Sequence, residues 1–228
     1  CIPPCSDFIH NAQHKSKINK IIGYFGRIND IKQPKFLIKC FDKIVKQFPD
    51  WKLYIVGPSV KPWNVNDVKK EILTAKNKNL LEQNVVIIEK NIEDEKEKNK
   101  YYELFDIMVS TTTIEGFPFV VSESLRMGTP VIITNVGGNK DCIKPGYNGD
   151  ILNFKGLYVD EIYDDNIYIK LINQMYKNEK YNINEFEKVI TPYLKNPEKI
   201  IEMSKNALET IKYKYNNIQF KNKLFEII

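Results

Sequence analysis

Long apolar runs are missing from this chain. No stretch approaches the roughly 18–20 consecutive apolar residues that a membrane-spanning helix needs, so these 228 residues carry no such helix. Cysteine is scarce. Cys1, Cys5, Cys40 and Cys142 are the four present, too few to make a disulfide framework at this length, and a reducing, cytoplasmic compartment is the expectation. Histidine is scarcer still: His10 and His14 both lie near the start. The rest of the chain therefore holds no Ser-His-Asp or Cys-His constellation. Two nucleotide signatures are absent as well. No G-x-G-x-x-G follows the first apolar strand, which weakens a dinucleotide reading, and there is no P-loop. An excess of one charge is also lacking. The 34 Lys and Arg stand among 29 Asp and Glu, for a net charge of +5. Basic and acidic residues are mixed along the chain, which fits a solvated surface with a mild preference for anions and argues against nucleic acid as a partner.

What is present is an ordinary globular composition, 43% hydrophobic and 28% charged, at a size that builds a core without disulfides or metals. The chain opens at Cys1 rather than Met and is expected to be a piece of a longer protein. Cys1, Cys5, His10 and His14 form a zinc-like set of atoms. Four residues separate the two pairs, however, where zinc fingers leave a dozen or more to fold between them. An extended arm with coincidental Cys and His is the favoured reading, and no metal site is expected.

Residues 1–18 are polar, contain Pro3-Pro4 and show no period, as a linker or arm would. Short apolar runs then alternate with segments of helical spacing. Strands are expected at 20–25, 51–56, 85–88, 107–109, 130–134 and 151–153. Helices are expected at 34–48, 67–81 and 118–127, with a charged run at 93–100 that continues into a helix. Pro118 suits the first turn of its helix, and Gly128 suits the position just past its end. Uniformly apolar strands alternating with helices predict an α/β fold: a Rossmann-like, doubly wound parallel sheet over residues 19–156. From 157 to 228 the pattern is helical, with helices expected at 168–176, 185–194, 197–215 and 220–228, packing on that domain.

Ligands of such sheets bind beyond the carboxyl ends of the strands. Gly26-Arg27, Gly57, Thr111–Gly116 and Val136–Gly138 all follow strands and would share that rim. Arg27 and Lys32 could neutralise a diphosphate there, or could be solvated surface residues. Glu115 stands in a Gly/Pro turn and Glu123 inside the next helix. Carboxylates accept from sugar or ribose hydroxyls, although an exposed helix residue explains Glu123 as well. The N–H groups of Phe119, Val120 and Val121 would point at a phosphate from the helix start. Gly137-Gly138 would admit close backbone approach, or be a plain turn.

Taken together, these residues resemble a known family. Gly26-Arg27-Ile28-Asn29-Asp30-Ile31-Lys32 resembles the G-R-x4-K motif of retaining glycosyltransferases with the GT-B fold. Thr113 through Glu123, followed by Gly128-Thr129-Pro130-Val131-Ile132, resembles their E-x7-E signature and the strand after it. Val136-Gly137-Gly138, Asn148-Gly149, and Asn196-Pro197-Glu198 with Met203 and Ala207 fit the same pattern. The set covers about 20–156 and resumes near 196, and it is similar to the group 1, glycogen synthase-like enzymes. The resemblance implies one half of a GT-B fold, the C-terminal, donor-binding half, with the arm at 1–18 as the interdomain linker. It implies that Arg27 and Lys32 hold the donor diphosphate and stabilise the departing nucleotide. Glu123 would hold the ribose hydroxyls. Glu115, with Gly26 and the backbone of Gly116, Phe117, Pro118, Phe119 and Val120, would complete the donor site. Catalysis would rest on Glu115, Arg27 and Lys32, with no cofactor or metal and with retention of configuration. The partners implied are a nucleotide-sugar donor, by default a UDP-sugar because these are common in the family, and a glycan, lipid or protein acceptor. Peripheral membrane association through a preceding domain is a further expectation. Alone, the chain is expected to bind a nucleotide and turn nothing over. The pattern departs from the family at Asn139-Lys140-Asp141, where Asp141 is the acid nearest to the usual Glu. Residues 179–195 look like an insertion. A nucleotide-sugar epimerase of the same fold and a non-catalytic relic domain are the alternatives.

Overall fold

A computed structural model describes residues 12–62, 64–116, 118–157 and 166–214. In chain order the elements are β1 (Ile21–Phe25), α1 (Pro34–Val45), β2 (Lys52–Val56), α2 (Val65–Thr74), α3 (Lys78–Asn84), β3 (Val85–Ile88), α4 (Glu95–Leu104) and β4 (Ile107–Ser110). They continue with α5 (Phe119–Arg126), β5 (Val131–Thr134), α6 (Asn139–Cys142), β6 (Gly149–Leu152), α7 (Ile167–Lys177), α8 (Glu179–Lys195) and α9 (Glu198–Lys214).

All six strands are parallel, in the order β3-β2-β1-β4-β5-β6. The order reverses direction between β1 and β4, and this is where a doubly wound sheet opens a crevice at its carboxyl edge. The two strands meet in the register Ile22↔Ile107 and Gly23↔Met108. The central strands β1, β4 and β5 are buried on both faces, and their two-residue period divides the core. Ile107, Val109 and Ile132 face α1 and α8 through Phe36, Leu37, Phe41, Phe186 and Ile190. Met108, Val131 and Ile133 face α5 and α9 through Val121, Leu125, Ala207 and Ile211. The sheet is thus covered on both sides, as parallel strands require.

Two expectations, the helix over 67–81 and the arm, need adjustment, and two others gain detail. The helix expected over 67–81 is two helices, because Asn77 stops it. Its backbone N–H donates to Asp42 Oδ1 at 2.9 Å and its side-chain amide to the Asp42 carbonyl at 2.9 Å, bonds to α1 from 35 residues away that tie the chain out of the helical ladder. The apparent insertion at 179–195 is α8, a helix of 17 residues that buries Phe186, Ile190, Tyr193 and Leu194. It belongs to the main core. The charged run near 93 becomes α4, capped by Asp94, whose Oδ1 accepts from the Glu97 N–H at 2.7 Å. Carboxylates at its first turn suit the positive end of the helix dipole. Part of the expected arm is docked: the Lys15 N–H donates to Ser204 Oγ and its Nζ to the Glu103 carbonyl, both at 2.8 Å. The helix expected at 220–228 lies outside the described residues. Among the described residues no helix is long and apolar enough to cross a membrane.

Candidate functional site

At the carboxyl end of β1 the chain makes a short, heavily bonded loop. Gly26 donates its N–H to the Val56 carbonyl at 2.9 Å, and the Arg27 carbonyl accepts from Tyr24 Oη at 2.6 Å while the Arg27 side chain is exposed. Asn29 then closes a turn onto the next basic residue. Its Oδ1 accepts from the Lys32 N–H at 2.9 Å, and its carbonyl accepts from the Gln33 N–H at 3.1 Å. Pro34 follows as the first residue of α1, a position its fixed φ favours.

The loop after β4 lies against this one. Thr111 Oγ1 donates to the Gln33 carbonyl at 3.0 Å, and Thr113 Oγ1 to that of Ile31 at 3.2 Å. Thr112 Oγ1 reaches the carbonyls of Ile114 at 2.8 Å and Ile31 at 3.3 Å. The Thr113 N–H adds a backbone bond to Ile31 at 2.9 Å. Three consecutive hydroxyls therefore fasten the two loops that flank the β1/β4 crevice. Beyond them Glu115 pairs directly with Lys32, both side chains mostly buried. The opposite charges share one crevice and neutralise each other there, where the residues alone suggested that bases and acids would take opposite ends of a ligand. The loop after β5 closes the third side. Gly137 has φ +51°, and a Cβ on it would overlap the Glu115 carbonyl oxygen, so this position requires glycine. The Gly138 N–H donates to the Gly116 carbonyl at 3.2 Å.

Glu123 sits in α5 with both oxygens engaged. Tyr102 Oη donates to Oε2 at 2.7 Å, and Lys98 Nζ meets Oε1 at 3.0 Å. Tyr102 is fully buried. Burial first, and the Glu123 charge second, push its phenol well above its ordinary pKa, so it stays a proton donor. Its ring lies 5.1 Å from that of Phe25, at the end of β1, which ties Glu123 to the same rim. α5 begins one residue later than expected, with Pro118 just outside its first turn, and Gly128 follows its end at φ +69°, as expected. Pro118 has no N–H, and its carbonyl accepts from the Val121 N–H at 3.0 Å. Val121 is thus used inside its own turn, not held open for a phosphate. Gly116 and the Phe119 ring are exposed, Val120 is half-buried, and Phe117 lies outside the described residues. Of the zinc-like set, Cys1, Cys5 and His10 also lie outside them. Among the described residues no cluster of three or more His, Cys, Asp or Glu is arranged to hold a metal.

The sequence model of the family described as "Glycosyl transferases group 1" matches residues 6–210. The chain belongs to the group 1 glycosyl transferases. The capsular polysaccharide biosynthesis glycosyltransferase CapM of Staphylococcus aureus is 32% identical over 134 residues, which is 59% of this chain and 33% of CapM. The chain spans about a third of the length of the first curated relatives that it matches. Among solved structures, HepE of Anabaena in complex with UDP and glucose superposes with a TM-score of 0.67 at 18% identity, over 92% of this chain and 48% of HepE. The C-terminal domain of the group 1 protein LpcC from Francisella tularensis gives 0.64 at 21% identity, over 95% of this chain and 96% of that domain. At these identities the structural likeness establishes the Rossmann-like α/β fold.

In this group 1 glycosyl transferase the charged groups of the rim form two stations. Lys32 with Glu115 is one, held by the threonine clasp. Glu123 with Tyr102 and Lys98 is the other, held by α4. Each presents a carboxylate able to accept from hydroxyls, and each has a cation able to meet an anion. Lys98 and Tyr102 are not singled out as site residues from the sequence, and Thr111–Thr113 are placed on the rim without their role as a clasp. Only the run Thr111-Thr112-Thr113 after an apolar strand gave a local signal, and it reads as a polar loop.

Proposed function

We propose that this chain is the donor-binding part of a glycosyltransferase and takes a nucleotide-sugar. Arg27 and Lys32 receive the diphosphate, where their charge stabilises the nucleotide as it leaves. Glu123 accepts from the ribose hydroxyls. Glu115, with the backbone around Gly116, holds the sugar. The single observation that carries this reading is the Lys32–Glu115 pair at the β1/β4 switch point, a cation and a carboxylate side by side where a doubly wound sheet binds its ligands. The basic pair supplies the neutralisation that a metal could otherwise give, so transfer is proposed to be metal-independent, with the configuration retained. The acceptor is proposed to be a glycan, lipid or protein held by a further domain, without which the chain binds donor but does not turn it over. UDP is the proposed nucleotide; HepE, at 18% identity, was solved with it.

Calorimetric titration of the chain with UDP, GDP and ADP tests the reading. One nucleotide is expected to bind, with UDP first, and EDTA should leave its affinity unchanged. Absence of binding by all three at millimolar concentration would remove the donor-site assignment. Strict dependence on a divalent cation would remove the metal-independent mechanism.

A further inference from the structure

Gln33 follows Lys32 and is the first residue before α1. Its backbone is left-handed, with φ 54° and ψ 45°, a region that side chains bearing a Cβ seldom adopt. Glycine would take this backbone without strain, yet a glutamine occupies it with no solvent exposure at all. Such strain persists only where the surroundings over-determine the residue, and here they do. The Gln33 carbonyl accepts from Thr111 Oγ1 at 3.0 Å and from the Leu37 N–H at 3.2 Å. The side-chain Nε2 donates to the Asp30 carbonyl, inside the Lys32 loop. Oε1 accepts from Tyr176 Oη at 3.1 Å.

Tyr176 belongs to α7, 143 residues further along the chain. Its ring packs edge-on against Phe36, at 5.6 Å and 86°. Burial, ahead of the nearby acids, raises its phenol above the ordinary value, so the hydroxyl remains a donor. A donor there fixes which end of the Gln33 amide is the acceptor, and so directs Nε2 onto the Asp30 carbonyl. A chain of two hydrogen bonds thus runs from α7, through a strained and buried amide, into the turn that carries the Lys32 ammonium.

We infer that Gln33 is a positioning residue for Lys32, and that Tyr176 sets it from α7. The glutamine side chain, not the backbone conformation alone, holds the Lys32 loop in the place where the cation can meet a phosphate. This rests on the donor-site reading proposed above.

The experiment compares UDP with uridine, which lacks the phosphates, by calorimetry on the 228-residue chain, alongside melting temperature. The wild type should bind UDP more tightly than uridine. Gln33→Gly relieves the backbone strain while deleting both side-chain bonds. It also empties a buried position and leaves two partners unpaired, so it should lower the melting temperature, lower UDP affinity about five- to tenfold, roughly the worth of one ordinary hydrogen bond, and leave uridine affinity per folded molecule unchanged. Tyr176→Phe, which removes one hydroxyl, should lower the UDP-to-uridine ratio about threefold. A purely structural role would move melting temperature and both affinities together and leave the ratio alone. An unchanged ratio in both variants, with a discriminating wild type, overturns the inference and spares the donor site. A ratio that moves in Gln33→Gly but not in Tyr176→Phe overturns the α7 link. A wild type that does not favour UDP overturns the donor-site reading itself, and this inference with it. If Gln33→Gly does not fold, Tyr176→Phe decides.

Discussion

The two ends of β4 each bring a lysine near a carboxylate and treat the two charges in opposite ways. At the amino end Asp106 lies fully buried beside Lys15. Its carboxylate is committed to backbone: the Asn19 N–H reaches both oxygens at 3.0 and 3.1 Å, and the Ile21 N–H donates to Oδ2 at 2.8 Å. Lys15 is committed in turn to the Glu103 carbonyl. At the carboxyl end Glu115 is held by a side chain, that of Lys32. Backbone donors cannot leave without unfolding the segment that carries them, whereas an ammonium on a flexible stem can be displaced by another partner. The comparison teaches where to look for exchangeable charge in such a sheet. The pair fixed by main chain is architecture, and the pair fixed by side chain is available to a ligand.

The sharpest way to break this contrast is at Asp106. Asp106→Ala leaves two backbone N–H groups without their acceptor and a buried ammonium without the opposing charge of Asp106, and should cost roughly 3 kcal/mol of stability. Urea unfolding measures it, and UDP affinity per folded molecule should not change. The mirror experiment is Lys32→Met. Here a mostly buried carboxylate loses its partner, but solvent still reaches it, so stability should fall by about 1–2 kcal/mol, less than at Asp106, while UDP affinity drops about tenfold with the loss of a charge-assisted bond. If Lys32→Met destabilises as much as Asp106→Ala, the two ends are alike and the contrast fails. The smallest effect is in pH. Burial raises the Asp106 carboxyl above its ordinary value, against the opposing pull of the Ile21 and Asn19 N–H groups and of Lys15. The folded state then holds this proton more tightly than the unfolded one, so ionisation is a cost that appears as pH climbs from about 4. The stability advantage of the wild type over Asp106→Asn should therefore shrink as pH rises from about 4 toward neutrality. An advantage that grows over that range would mean that pairing outweighs burial.

Much of the fold was legible because it rests on period and punctuation. Apolar runs such as Ile107-Met108-Val109 and the glycines after strands mark a parallel sheet, and the Pro118 and Gly128 boundaries of α5 follow from local backbone preferences. The break at Ala75–Asn77 was not legible, since what stops the helix is Asp42, far away in sequence. The 179–195 segment reads as an insertion because α8 shows its purpose only against α1. The candidate site divides the same way. Arg27, Lys32, Glu115 and Glu123 stand out as charges after strands or within an apolar helix. The partners of Glu123, Lys98 and Tyr102, come from α4, and Tyr176 reaches Gln33 from α7; the local pattern of these helices says nothing of the site. The direct meeting of Lys32 with Glu115 is likewise a product of loop packing, fastened by hydroxyls that look like ordinary polar residues.

The close approach of Gly137 to the Glu115 carbonyl couples two properties of the rim. The charges belong to residues 32 and 115, but the gap between the second and third loops is set by the absence of a single methyl group at residue 137. Volume added there would act as a wedge under Glu115, widening the crevice and drawing the carboxylate off its lysine in the same movement. An uncharged position thereby holds the ion pair together.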